Sequence, residues 1–331
     1  MPKSVVRIFT ALLLLVALPA MAQSDPPSRV GRLSHLEGEV GFQIDPRDDG
    51  GPATLNWPVS SGAVLTTGRS GRAEVWIGST AYRVKSNSEV AFPVVDDHRV
   101  DIRLSGGSLA ISVLDREQAA DVEVETPDGI VRFQAPGRYR INVQAEHSEL
   151  LVQAGRATFD DGRRSLPVSA GQMATLGRDG ERLDAIRGYD AFDQWVGNRE
   201  NAALAAQARG ARVVVHALNP AYTHKAWREE APALMEAAIA VSRQLRATLM
   251  LPGNVYNFGE SMPPVLREDT PQAATGFKGR MRVQLEQRLQ AATQGGEMRA
   301  VVLRAGDFFG SGTGSWIDQA IAKDLPGGRI T

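Results

Sequence analysis

The side chains that could do chemistry are few. Asp96-Asp97-His98 sets two carboxylates beside an imidazole, the ingredients of a general acid–base pair or a metal site. Three adjacent polar residues between apolar runs read more simply as a solvated turn, and Asp160-Asp161 reads the same way. Lys278 and Arg282 stand one helical turn apart. A desolvated Lys278 could act as a base, whereas two like charges on one stripe describe a solvated basic helix face. Trp57 and Trp76 could belong to a recognition surface, although large aromatics favour the core. There is no cysteine among the 331 residues, so thiolate nucleophiles, disulfides and Cys-ligated zinc or iron–sulfur clusters are excluded. The five histidines are scattered, so no metal site is expected, and spacing alone sets up no Ser-His-Asp arrangement.

The elements that must position these residues divide into two kinds. Residues 23–200 carry 20 Lys and Arg against 27 Asp and Glu, while residues 201–331 carry 15 against 11, so two regions of different composition are expected. Neither has the clustered basic charge that releases counterions from phosphates, which argues against nucleic-acid binding. Ahead of both, Lys3 and Arg7 precede an apolar run from Ile8 to Ala20, then Ala20-Met21-Ala22 and the polar Gln23-Ser24-Asp25. That order is a secretory signal peptide over residues 1–22, cut after Ala22. The run is shorter than the roughly 20 residues that span a hydrocarbon core, and no other segment is long enough to do so. The expected location is the periplasm or the exterior.

From Arg32 onward the apolar period is close to two: Val75 and Ile77, Tyr82 and Val84, Val100, Ile102 and Leu104, Tyr139, Ile141 and Val143. Gly68-Arg69-Ser70-Gly71, Gly106-Gly107, Pro127-Asp128-Gly129 and Asp161-Gly162 read as the turns between them. Residues 30–195 are therefore expected to form an all-β antiparallel sandwich or roll, with hairpin units at Gly38–Gln43, Gly71–Ile77, Gly107–Val113, Gly129–Phe133 and Gly137–Val143 recurring in one sheet. Residues 196–211, rich in helix formers, read as a helical linker. Residues 212–331 change period. Val213-Val214-Val215 reads as a buried strand, and Trp227, Ala231, Leu234, Ala238, Val241 and Leu245 make one helical stripe that Pro232 should bend. Thr248–Leu251, Lys278–Ala292 and Ala300–Leu303 continue strand, helix, strand: a partial α/β, Rossmann-like parallel sheet.

Leu65-Thr66-Thr67-Gly68-Arg69-Ser70-Gly71-Arg72-Ala73-Glu74-Val75, Lys85-Ser86-Asn87-Ser88-Glu89-Val90 and Val124-Glu125-Thr126-Pro127-Asp128-Gly129 resemble the FecR family over about residues 30–177. The resemblance implies an exported envelope domain that senses a partner and passes a signal on, although this chain lacks the family's cytoplasmic N-terminal part and membrane helix.

A second resemblance covers about residues 212–331. His216-Ala217-Leu218-Asn219-Pro220, Leu251-Pro252-Gly253-Asn254-Val255-Tyr256-Asn257-Phe258-Gly259 and Leu303-Arg304-Ala305-Gly306-Asp307-Phe308-Phe309-Gly310 resemble the NAD-dependent epimerase/dehydratase branch of the extended short-chain dehydrogenases. It corresponds to only the middle of that fold. It implies NAD or NADP as cofactor if this part is functional, with His216, Asn219, Gly253 and Asn254 as candidate cofactor contacts. Tyr256, Lys278 and Arg282 are the catalytic candidates. The family's Tyr-x-x-x-Lys pair falls on Lys278 and Arg282, which keep neither the phenol nor the pairing that would lower its pKa. Tyr256 matches a structural Val-Tyr-Gly motif. No G-x-G-x-x-G precedes Val213, so no phosphate cradle is present.

These features together predict an exported FecR-like envelope protein that is non-catalytic, binds an envelope protein or small ligand of unknown identity, and expects no cofactor. The alternatives are an NAD(P)-dependent oxidoreductase or epimerase acting on a nucleotide-sugar-like substrate, and a structural envelope protein. The joining of the two halves is open between a natural fusion, a fusion without selected function and a misjoined sequence.

Overall fold

A computed structural model describes residues 29–306 apart from 45, 46, 48, 221 and 222. The expected signal peptide, and the Asp307-Phe308-Phe309-Gly310 end of the third epimerase-like motif, lie outside the described residues. The chain separates into two compact units, Met1–Gly188 and Tyr189–Thr331.

The first unit is built from β1 (Gly31–Glu37), β2 (Val40–Gln43), β3 (Gly51–Pro52), β4 (Pro58–Val59), β5 (Ala63–Thr67), β6 (Arg72–Ile77), β7 (Thr80–Val84), β8 (Glu89–Val95) and β9 (Val100–Val113). A short helix α1 (Arg116–Asp121) follows, then β10 (Val122–Thr126), β11 (Gly129–Phe133), β12 (Gly137–Val143), β13 (His147–Ala154), β14 (Arg156–Asp160), β15 (Ser165–Ser169), β16 (Gln172–Gly177) and β17 (Gly180–Ala185). One layer runs β4-β1-β6-β7-β9-β12-β13-β16-β17. The other runs β3-β2-β5-β8-β9-β10-β11-β14-β15. Period-2 side chains from both layers meet in one core, including Leu33, Val75, Tyr82, Ile102, Ile111, Ile141, Leu150 and Phe159.

β9 belongs to both layers. Its first half pairs with β8 and β10, its second half with β7 and β12. The inward set changes parity along it, from Val100, Ile102 and Leu104 to Leu109, Ile111 and Val113. A strand that moves from one layer to the other must swap faces to keep apolar side chains in the core, and Gly106-Gly107 makes the swap. Gly107 sits at φ +88°, where an added Cβ would come 2.1 Å from Ser88 Oγ and 2.5 Å from the Asn87 carbonyl oxygen. The pair expected as a turn is thus a bend inside a continuous strand. The hairpin units, expected in one sheet, are divided between the two layers. The purely antiparallel expectation is also corrected, because β10 runs parallel to β9. α1 closes that crossover, with the Asp115 carboxylate accepting from Glu117 N and Gln118 N at its start.

The second unit opens with α2 (Ala191–Gln207), which Asp190 and Asp193 start with a reciprocal capping box. It packs on α3 (His224–Leu245). β18 (Val213–Val215), β19 (Thr248–Gly253) and β20 (Arg299–Arg304) form a parallel sheet in that order, with α4 (Phe277–Thr293) between the last two. α3 runs unbroken through Pro232, which does not split it. Of the expected stripe, Trp227, Ala231 and Val241 are buried and Ala238 packs against the core, but Met235 and Ile239 are buried as well, so the inward face is wider than that one row and Leu234 lies at its margin. Val213 and Val215, expected to be buried, are 53% and 55% exposed. Among the described residues, helices cover one face of this sheet.

Candidate functional site

In parallel α/β sheets ligands collect outside the carboxyl ends of the strands, and the enclosed space of the second unit lies there. A cavity of about 110 Å³ is lined by His216 and Asn219 after β18, by Leu251 and Pro252 of β19, by Trp227 of α3 and by Arg282 of α4, among others. The loop that brings His216 there is tied to β19 by a 3.0 Å hydrogen bond from His216 N to the Met250 carbonyl. The imidazole is buried, and burial pushes its pKa below the ordinary 6.5.

Trp227, 3% exposed, is the centre of the apolar wall. The Arg282 guanidinium lies 4.9 Å and the Lys278 ammonium 5.6 Å from its ring centroid, a doubled cation–π contact. Both catalytic candidates on α4 are therefore engaged with an indole face, in a pairing that offers no acid–base couple. The structure brings together His216, Asn219 and Arg282 around one cavity, with Lys278 one contact away.

It places the other candidates elsewhere. Tyr256 is 42% exposed at the start of a 3-10 turn, its backbone N donating to Asn254 Oδ1 at 3.1 Å. The Asn254 carbonyl accepts from Arg304 Nη1 at 3.2 Å. Gly253 serves packing, since a Cβ there would come 2.9 Å from Val302 Cγ1. None of the three lines the cavity.

Sequence reasoning missed two clusters. In the second unit Arg304 forks onto Glu286 at 2.8 and 2.5 Å, Gln272 donates to Glu286 at 2.8 Å, and Asn257 donates to Gln272 at 3.1 Å. This chain of contacts straps the loop after β19 to α4 beside an open groove of about 530 Å³ lined by Gln272, Glu286, Leu289 and Val302, among others. In the first unit Arg83 and Glu74, 0% and 1% exposed in their side chains, pair at 2.8 Å. Arg83 also donates to Ser112 Oγ at 2.8 Å, and Glu74 accepts from Ser34 Oγ at 2.8 Å and from Trp76 Nε1 at 3.1 Å. The sequence signal for the pair was a charge in each of two alternating strands, visible only once β6 and β7 are registered with Glu74 opposite Arg83.

The acidic pairs are turns. Asp96 Oδ1 accepts from His98 N and Arg99 N at 2.8 Å each, and Asp161 Oδ1 accepts from Arg163 N at 2.8 Å and Arg164 N at 2.7 Å. Those backbone bonds hold both carboxyls below the usual aspartate range. Trp57 is 39% exposed and packs edge-on against Phe42, so it is not the core residue its type suggested. Among the described residues no group of three or more His, Asp or Glu could hold a metal ion, and no helix is long and apolar enough to cross a membrane.

No family model and no curated protein matches the sequence. Solved structures similar over part of the chain include two of a candidate anti-sigma factor from Parabacteroides distasonis. They have TM-scores of 0.34 and 0.35 and identities of 10% and 12%, and cover 46% of this chain and 76% and 77% of theirs. They also include UDP-glucose 4-epimerase from Brucella ovis in complex with NAD, at TM-score 0.28 and 17% identity over 32% of this chain. The UDP-Glc/GlcNAc 4-epimerase from Campylobacter jejuni follows at 0.27 and 17% over 33%. The chain spans 36% of the length of each epimerase.

Proposed function

We propose that the chain is an exported envelope protein whose FecR-like β unit recognises a protein partner or small ligand, and that its α/β unit performs no hydride transfer. The observation that carries the second half of this reading is the stacking of Lys278 and Arg282 on Trp227. At the spacing where the resembled family keeps a phenol and an ammonium, two basic side chains hold an indole and the phenol is missing. Size points the same way. The cavity at the strand ends, about 110 Å³, is well below the ~300–1,000 Å³ of small-molecule sites, and no G-x-G-x-x-G precedes Val213 to hold a pyrophosphate.

A second reading, an NAD(P)-dependent epimerase or oxidoreductase on a nucleotide-sugar-like substrate, is favoured by the cavity's place at the strand ends with His216 and Asn219 on its wall. One calorimetric titration of the purified chain with NAD, NADP and UDP-glucose separates the two. A flat response is expected, and saturable heat with any of them would replace the first reading by the second. For export, fractionation of a Gram-negative host should recover the protein in the periplasm with Gln23 at its N-terminus. A cytosolic protein retaining Met1 would overturn that part.

A further inference from the structure

Among the described residues the two layers of the first unit end on four edge strands, β4 and β17 in one layer and β3 and β15 in the other. Three of them carry a proline: Pro58 in β4, Pro52 in β3 and Pro167 in β15. Proline blocks the addition of a further strand because it removes a backbone donor. β17 has none, and β16 is its one neighbour among the described residues. The edge also stops in the middle of a pattern. Leu109, Ile141, Leu150 and Ala174 form a fully buried register row across β9, β12, β13 and β16, and the next member of that row is Leu183, 42% exposed. Backbone groups point the same way. Ile186 N donates to the Gly171 carbonyl at 2.9 Å, just past the Gln172–Ala185 pair. The alternation of an antiparallel ladder therefore turns the N–H and C=O of Glu181, Leu183 and Ala185 away from β16.

The side chains of β17 say which strand fits there. A second β17 running antiparallel can join these outward groups about a two-fold axis at Arg182, Leu183 or Asp184. An axis at Arg182 sets Arg182 opposite its own copy, and an axis at Asp184 sets Asp184 opposite its own copy, so both put like charges face to face. An axis at Leu183 puts Leu183 against Leu183 and sets Arg182 opposite Asp184 on both sides of it. In that register the Leu183 pair and each Glu181–Ala185 pair exchange both of their N–H···O=C bonds, since these are the residues whose backbone groups face outward. We propose that the chain forms a symmetric dimer through β17, with Leu183 on the two-fold axis, so that the layer from β4 to β17 continues into its copy. This is independent of what the β unit recognises.

Sedimentation equilibrium of the purified chain across a dilution series tests this, and should show a reversible dimer that dissociates on dilution. Arg182→Asp sets carboxylates opposite one another on both sides of the axis and should weaken the dimer by about tenfold or more. Adding Asp184→Arg restores opposite charges and should bring most of that affinity back. Neither side chain is in the core, so both variants should fold. Leu183→Pro removes an N–H that β16 does not use and should leave a monomer with an unchanged circular dichroism spectrum. A monomer at every concentration would leave this edge to an extended segment of another protein and overturn the proposal. A dimer that Arg182→Asp and Leu183→Pro leave equally stable would overturn it as well, as would a charge swap without recovery.

Discussion

A buried ion pair and a buried imidazole dominate the electrostatics of individual residues here. Glu74 and Arg83 are both removed from water and bond each other, with Ser34 and Trp76 donating to the carboxylate and Ser112 accepting from the guanidinium. Arg83→Met should destabilise the β unit by about 3–5 kcal/mol in urea unfolding, because it strands a buried carboxylate; adding Glu74→Leu should recover most of the loss. His216 gives a pH signature. Its folded pKa lies below 6.5 because burial disfavours the imidazolium, so below 6.5 the unfolded chain binds a proton that the folded chain does not. Its contribution to stability is complete above pH 6.5 and is lost as pH falls through the folded value. Thermal melts of the second unit in the intact chain should therefore show an acid-side fall that His216→Gln reduces. Local chemistry of this kind was partly legible: the Asp96 and Asp161 turns bond only to residues two and three positions away. Glu74–Arg83 needed a strand register, and the contact of Arg282 with Trp227 needed two helices brought together.

Among the elements, β9 decides how the β unit is built. The parity change from Val100, Ile102 and Leu104 to Leu109, Ile111 and Val113 is written in the sequence, but two glycines between alternating runs read equally well as a reversal. Pairing with β7, β8, β10 and β12 is what turns them into a bend. Gly107→Ala should cost at least about 1–2 kcal/mol from its left-handed backbone alone, and more from the 2.1 Å approach to Ser88 Oγ. Gly106→Ala, which meets nothing within 4 Å, should cost less; a comparison of melting temperatures checks the order. On α3 the spacing of apolar residues predicted a helix and most of its buried stripe, and packing in the second unit's core added Met235 and Ile239 to it.

For the whole molecule, the two units differ in how completely they bury their apolar surface. The first closes a core between two layers that share a strand. Among the described residues the second has a sheet of three strands, with β18 and β20 at its edges and exposed valines and leucine on one face. Hydrogen exchange should accordingly find the slowest amides in β6, β7, β9 and β12 and far weaker protection in β18 and β20, since few buried contacts oppose local opening there. Limited proteolysis should cut the second unit first. Equal protection of the two sets of strands would contradict this ranking.

The two compositions, the period-2 and period-3.6 segments, the exclusion of thiol chemistry and most turn positions were legible without coordinates, because each depends on residue type or on neighbours a few positions apart. Tertiary structure alone decided that β9 serves two layers, that β10 runs parallel to it, that Lys278 and Arg282 meet an indole, and that Glu286 is the partner of Arg304. Those outcomes join residues far apart in the chain, and the free energy that selects them comes from closing a common core, which no local pattern records.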